Sequence, residues 1–183
     1  MSEGIQQSHK LGRYLKEHSD EYNIHRILSS DLTRAVQTTQ AIEDELQLPV
    51  EHSADWRETN NGLLAGMPEE LALQRYPGLF FSTLKMDERF PGGESPVEFA
   101  ARIQDTLGKI CAAQLAGNPD ENLLIVTHGG VINVIYHLLL GIPWTNTGHW
   151  FPAGNTGVHE LTYSQDQWKI TRENGLDHLN LVD

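Results

Sequence analysis

Apolar positions along the chain change repeatedly between a helical period and a strand period. Helical spacing predicts helices over residues 2–15, 31–46, 68–76, 95–115 and 131–140. Short apolar or alternating runs predict strands at residues 24–28, 50–53, 123–127, 157–163 and 168–172. Because strands and helices alternate through most of the chain, the pattern predicts an α/β fold with a mostly parallel sheet.

Four of these segments carry more specific signals. Ser95-Pro96-Val97-Glu98 fits a capping box with proline just inside the helix. Residues 123–127 are almost continuously apolar, which is typical of a parallel strand covered by helices on both faces. The last two strands flank a polar Ser-Gln-Asp-Gln turn and predict a hairpin. The sequence therefore predicts a three-layer sandwich, with a central sheet between two layers of helices.

Residues 56–94 show no clear period, and we expect them to form an irregular cap that covers a substrate. The cap is expected to lie within a single domain spanning residues 1–183, because 183 residues suit one ordinary domain. The hydrophobic fraction of 39% and the 16 glycines together place the composition in the globular range. Disordered, collagen-like and coiled-coil chains are excluded.

The charge balance restricts the class of partner. Thirteen basic and 25 acidic residues give a net charge of −12 with histidine neutral. Nucleic-acid binding usually requires clustered lysine and arginine, which are scarce and scattered here. A small anion needs only one or two well-placed arginines. We therefore expect no nucleic-acid partner, while a small anionic ligand stays open.

Cysteine usage and hydropathy point to a cytoplasmic protein without membrane contact. Cys111 is the only cysteine, so no disulfide can form within the chain. The first residues carry no signal-peptide core, and the apolar stretch 131–142 is too short and too interrupted to span a bilayer. His149, His159 and His178 match no metal-ligand spacing, so no metal site is predicted.

Chemistry is expected at the carboxyl ends of the strands, where open α/β sheets bind their ligands. Arg34 lies on the first turn of the helix after the first strand, where unpaired N–H groups favour an anion. His128 follows strand 123–127 directly, and the two glycines behind it, Gly129 and Gly130, let a ligand approach the backbone. Together they predict an anion site with one fixed charge and one titratable group. A solvated arginine and a structural histidine are the alternatives for each residue alone.

Glu58 is the third candidate, in the segment Trp56-Arg57-Glu58-Thr59. A carboxyl group beside tryptophan in irregular structure can serve as a general acid. The alternative is a surface carboxylate paired with Arg57.

Four motifs in this order resemble the histidine phosphatase (phosphoglycerate mutase-like) superfamily. They are SSDLTRA at residues 29–35, Glu58 ahead of Gly62 and Gly66, PGGES at residues 91–95 and VTHGG at residues 126–130. Asn155-Thr156 before a closing strand is also similar to that family. The resemblance covers nearly the whole chain and implies a phosphoglycerate mutase-like fold.

The resemblance implies a pocket for phosphoryl transfer. In this family a histidine of an Arg-His-Gly motif attacks phosphorus, and water hydrolyses the resulting phosphohistidine. By motif match, Arg34 and His128 bind phosphoryl oxygens beside Gly129, and Glu58 protonates the leaving oxygen. The implied activity is hydrolysis of a small phosphorylated metabolite, with no metal or other cofactor.

The Arg-His-Gly motif itself does not occur in the 183 residues. His9, His18 and His25 are not followed by glycine and are not credible substitutes. We expect that the family's first strand, its nucleophile and its first arginine are missing, most simply because the sequence begins too far downstream. The chain alone is then expected to be inactive. It should also be poorly stable, or form a homodimer or swapped assembly that fills the gap in the sheet.

Two other functions stay open. The first is a non-catalytic relative that binds a phosphorylated ligand or a partner through Arg34 and His128. The second is a phosphoglycerate mutase-type phosphotransferase, which is less favoured because residues 62–94 are short for an enzyme that keeps a closed pocket.

Overall fold

Strands and helices alternate in the computed structural model, which describes residues 2–117 and 121–180. The helices are α1 (Glu3–Glu17), α2 (Ser19–Tyr22), α3 (Thr33–Leu46), α4 (Glu69–Arg75), α5 (Pro96–Ala116) and α6 (Gly129–Leu140). The strands are β1 (Ile24–Ser30), β2 (Val50–Ser53), β3 (Asn122–Val126), β4 (Val158–Ser164) and β5 (Gln167–Gly175). Short 3₁₀ turns lie at Ala54–Trp56, Gly62–Leu64, Phe81–Thr83 and Asp177–Asn180. In the described part of the chain, no helix has the length and apolar character needed to cross a membrane.

The sheet is parallel, as predicted, with β1 at its centre. Its strand order is β2-β1-β3, and Leu28 of β1 lies opposite Ile125 of β3. Strands β4 and β5 form the predicted antiparallel hairpin. Gln165 and Asp166 at its turn have φ values of 53° and 61°, as a tight two-residue hairpin turn requires.

Two hydrophobic clusters lie on opposite faces of the sheet. Side chains of α1, α3 and β1 form one cluster, and Leu124 and Val126 of β3 pack against it. Side chains of α5 and α6 form the other cluster, and Ile125 packs against that one. Successive residues of a strand point to opposite faces, so the sheet lies between two helical layers. The predicted three-layer α/β sandwich is confirmed.

The predicted capping box begins helix α5. Ser95 Oγ accepts a hydrogen bond from the Glu98 N–H at 3.3 Å, and Glu98 Oε2 accepts one from the Ser95 N–H at 3.0 Å. This cap fixes the helix that supplies most of the second cluster.

Strand β3 differs from its prediction because its apolar residues are only half-buried. Helices cover both faces of residues 123–126 as predicted, yet β3 is an edge strand in the described sheet, so one side of it stays open. A groove of about 800 Å³ separates β3 from β4, and residues of both strands and of α1 line it. Both helical layers are present, and the exposure comes from the open edge of β3.

Candidate active site

The carboxyl ends of β1 and β3 bring Arg34 and His128 together. Arg34 extends from the first turn of α3, and His128 is the residue that precedes α6. The Arg34 Nε–H donates a hydrogen bond to His128 Nδ1 at 3.2 Å. A guanidinium and an imidazole from separate strand-helix units therefore share one cradle at the edge of the sheet.

The imidazole of His128 is held as a neutral ring. Because Nδ1 accepts from Arg34, the ring proton lies on Nε2, which donates to Ser30 Oγ at 2.8 Å. Burial lowers the pKa of His128 to about 4, and the nearby cations of Arg34 and Arg102 lower it in the same direction. At neutral pH the fixed positive charge of this cradle belongs to Arg34.

Glu58 reaches the same cradle from the loop after β2. Its Oε2 accepts a hydrogen bond from the Gly130 N–H at 2.9 Å, and its Oε1 accepts one from the Thr59 N–H at 3.1 Å. The first contact places a carboxylate at the amino end of α6, where the helix dipole favours negative charge. Arg57 does not pair with Glu58, because its guanidinium forms an ion pair with Asp31 at 2.5 Å.

The PGGES segment braces the loop that carries Glu58. Glu94 Oε1 accepts a hydrogen bond from the Asn60 N–H at 2.8 Å and pairs with Arg102 at 2.7 Å. Gly62 has a φ of 54°, and a Cβ there would lie 2.1 Å from the carbonyl oxygen of Pro91. This segment therefore fixes the position of the loop through the Glu94 side chain and through a close backbone approach at Gly62.

Sequence reasoning did not assign roles to three residues near the cradle. Ser30 holds the imidazole, Arg102 lies close enough to lower the pKa of His128, and Trp150 lies against Gly129. The place of Ser30 at the end of a strand was a usable signal. Arg102 lies on helix α5 and Trp150 lies in a coil segment. The sequence does not specify how either of these parts packs against the cradle.

The structure gives the three histidines considered for a metal no common site. His159 Nδ1 lies 2.6 Å from the Tyr136 hydroxyl, and His178 Nε2 lies 2.8 Å from Thr156 Oγ1. Within residues 2–117 and 121–180, no group of three or more His, Cys, Asp or Glu side chains is arranged to hold a metal ion.

We predict that Gly130→Ala displaces the Glu58 carboxylate. A Cβ at Gly130 would lie 2.2 Å from Glu58 Oε1, so the carboxylate must leave its hydrogen bond to the Gly130 N–H. Gly108→Ala is the matched control, since a Cβ at Gly108, also in a helix, meets nothing within 4 Å. Gly130→Ala should be less stable than Gly108→Ala by about 1–3 kcal/mol in urea denaturation, because a charged hydrogen bond is lost. Equal stability of the two variants would contradict this role of Glu58.

Together, the three-layer fold and the cradle define an α/β protein in which an arginine, a histidine and a glutamate meet at the carboxyl ends of parallel strands. The chain belongs to the histidine phosphatase superfamily (branch 1), whose family model matches residues 1–175.

Named relatives agree with this family. The chain is 28% identical over 178 residues to the uncharacterized phosphatase PhoE of Bacillus subtilis, covering 97% of this chain and 82% of that protein. The solved structure of mycobacterial glucosyl-3-phosphoglycerate phosphatase Rv2419c with VO3 is similar with a TM-score of 0.71 and 26% identity, covering 95% of this chain and 86% of that one. Bacillus stearothermophilus YhfR shares the fold with a TM-score of 0.79 at 19% identity, covering 98% and 87%. The predicted class of enzyme, a phosphatase, is confirmed by the family and by the first two of these relatives.

Proposed function

We propose that the protein is a phosphate monoester hydrolase of the histidine phosphatase type, acting on a small phosphorylated metabolite. The observation that carries the proposal is that Arg34, His128 and Glu58 meet at one end of the sheet. The Arg34 Nε–H donates to the His128 ring at 3.2 Å, and Glu58 accepts from the N–H of Gly130, two residues after His128, at 2.9 Å. The phosphatase names of the relatives support the same reaction class.

Each residue has a defined part in this reaction. Arg34 binds phosphoryl oxygens through its guanidinium, whose Nε–H now points at His128. His128 and the backbone at Gly129 complete the anion site at the start of α6. Glu58 in its carboxylic acid form protonates the leaving oxygen, and the Gly130 N–H at the helix start stabilises the carboxylate that results. Charge that spreads over the phosphoryl group is then met by groups that are already in place.

The nucleophile of the phosphohistidine reaction comes from residues outside this sequence. The 183 residues contain no Arg-His-Gly, and within the described residues the hydrogen bond from the Arg34 guanidinium to a histidine goes to His128. We infer that an extended segment carrying this motif occupies the groove between β3 and β4. A strand parallel to β3 would end at the same sheet edge as His128, so the residues after it would enter the cradle.

Unpaired groups in the groove support this occupant. Strand β3 offers a free backbone edge to the groove, and β4 lines its other side. Three groove-lining side chains have buried polar atoms without a hydrogen-bond partner: Gln7 Oε1, His159 Nε2 and Trp168 Nε1. A polypeptide backbone offers both donors and acceptors to such atoms. Without this segment we expect turnover by the chain to be negligible.

A non-catalytic relative that binds a phosphorylated ligand is the second candidate, favoured by the absence of the Arg-His-Gly motif together with the intact cradle. Both candidates require anion binding at Arg34, whereas only the hydrolase gains turnover when the missing motif is supplied.

Anion binding is tested by titrating inorganic phosphate and vanadate into the chain and into Arg34→Ala. Loss of a charged hydrogen-bond donor should weaken phosphate binding by about tenfold or more. Arg26→Ala is the matched control: it removes the same charge from an exposed position four residues before Ser30, roughly 13 Å along β1. Calorimetry should show wild-type affinity for the control within about twofold. Equal affinities of wild type and Arg34→Ala would overturn the assignment of the site.

A further inference from the structure

An exposed tryptophan stands directly beside the cradle. A Cβ built on Gly129 would lie 3.3 Å from the Cζ2 atom of the Trp150 ring, and Gly129 is adjacent to His128. The Trp150 side chain is nevertheless 59% exposed. Indole is largely apolar, so the exposed part of the Trp150 ring offers a ligand an apolar surface beside the cradle.

The backbone beside the exposed ring is anchored through the next residue, Phe151. Phe151 is held by two hydrogen bonds to the buried Asn133 side chain: its N–H donates to Asn133 Oδ1 at 2.7 Å, and its carbonyl accepts from Asn133 Nδ2 at 3.1 Å. The Phe151 ring packs against the rings of Tyr136 and His137, with centroid distances of 5.0 and 5.3 Å.

These contacts explain why the two aromatic side chains have different surroundings. Phe151 is half-buried against α6, whereas Trp150, the residue before it, stands at the amino end of the same helix beside Gly129. The anchored backbone of Phe151 therefore fixes the point of the chain from which the Trp150 side chain extends. A ligand that contacts the indole does not have to order this part of the backbone.

We propose that Trp150 is a specificity-determining residue that contacts the leaving group of the bound phosphate monoester. The inference rests on the proposed function, because it places the phosphoryl group at Arg34 and His128. With the phosphoryl group there, the ester oxygen and its substituent must point outward, to the rim of the cradle. The indole of Trp150 lies on the Gly129 side of that rim. A flat, apolar leaving group can stack on the indole face, so the site prefers aryl phosphates over short alkyl phosphates.

Binding of phenyl phosphate and methyl phosphate measures this preference directly. Both are monoester anions, and since turnover by the chain is expected to be negligible, they can be titrated without being consumed. Wild type should bind phenyl phosphate about three- to tenfold more tightly than methyl phosphate. Trp150→Ala should abolish this ratio and leave the affinity for methyl phosphate unchanged. Trp150→Phe should restore most of the ratio, because it returns an aromatic ring.

The control removes another exposed aromatic side chain. Tyr163 is 39% exposed and lies near the turn of the β4–β5 hairpin. The variant Tyr163→Ala should keep the wild-type ratio of phenyl phosphate to methyl phosphate affinity. A phenyl-to-methyl ratio that survives Trp150→Ala would overturn the inference about Trp150. Failure of wild type to bind inorganic phosphate, methyl phosphate and phenyl phosphate would instead overturn the proposed function, so the two failures are distinguishable.

Discussion

Addition of a peptide with an apolar strand followed by Arg-His-Gly should convert the chain into an active phosphatase. The apolar part needs five residues to match the length of β3. Hydrolysis of an aryl phosphate should rise by about a thousandfold or more over the chain alone, because loss of a catalytic nucleophile typically costs several orders of magnitude in rate. The physical reason is that the groove lets a parallel strand end at the cradle, beside Arg34 and His128.

Two variants separate docking of the peptide from catalysis. A peptide with Arg-Ala-Gly should still dock and protect the backbone amides of β3 from hydrogen exchange, but it should give no turnover. His128→Ala in the chain should accept the active peptide while lowering turnover by about 10²–10³. Robust hydrolysis by the chain without peptide, abolished in His128→Ala, would show that the nucleophile lies within these 183 residues.

The meeting of Arg34 and His128 followed from the sequence because it depends on simple rules. His128 comes directly after a strand that the apolar pattern predicts, Arg34 lies on the first turn of the helix that follows another, and parallel strands bring their carboxyl ends to one edge. Their hydrogen bond at 3.2 Å is a consequence of topology. Their roles with a phosphoryl group stay predictions.

The position of Glu58 could not be derived in the same way. It lies in a loop whose course depends on backbone contacts with the distant PGGES segment, such as the hydrogen bond from the Glu94 N–H to the Asn60 carbonyl oxygen. The expected use of the glycines after His128 also changes in detail. Gly130 was expected to leave room for a ligand, and in the structure the Glu58 carboxylate lies beside its Cα.

The burial of β3 was overestimated for a related reason. The apolar pattern of a strand reports the surroundings that the strand requires, and it does not specify which neighbour supplies them. Helices cover both faces of β3, yet its free edge at the groove leaves residues 123–126 half-exposed. The mismatch between an apolar strand and an open edge is the same feature on which the proposed docking of a peptide depends.

Replacement of Trp56 by alanine should destabilise the chain by about 3–5 kcal/mol, a large share of the 5–15 kcal/mol typical of a whole domain. Trp56 is 2% exposed and packs in the cluster formed with Phe99, Ile103 and Val131. Its removal opens a cavity that α5 and α6 cannot fill, because both helices also pack against other parts of the cluster.

Trp56 also links the two halves of the cradle. Its carbonyl oxygen accepts a hydrogen bond from Thr127 Oγ1 at 2.8 Å, Thr127 precedes His128, and Glu58 follows two residues after Trp56. Because Trp56→Ala keeps this backbone acceptor, its main effect should be a lower free energy of unfolding, measured by urea denaturation. Trp56→Phe, which fills most of the volume, should lose less than half as much and keep wild-type phosphate affinity. A loss below about 1 kcal/mol in Trp56→Ala would mean that this cluster does not hold the Glu58 loop against the strand that leads to His128.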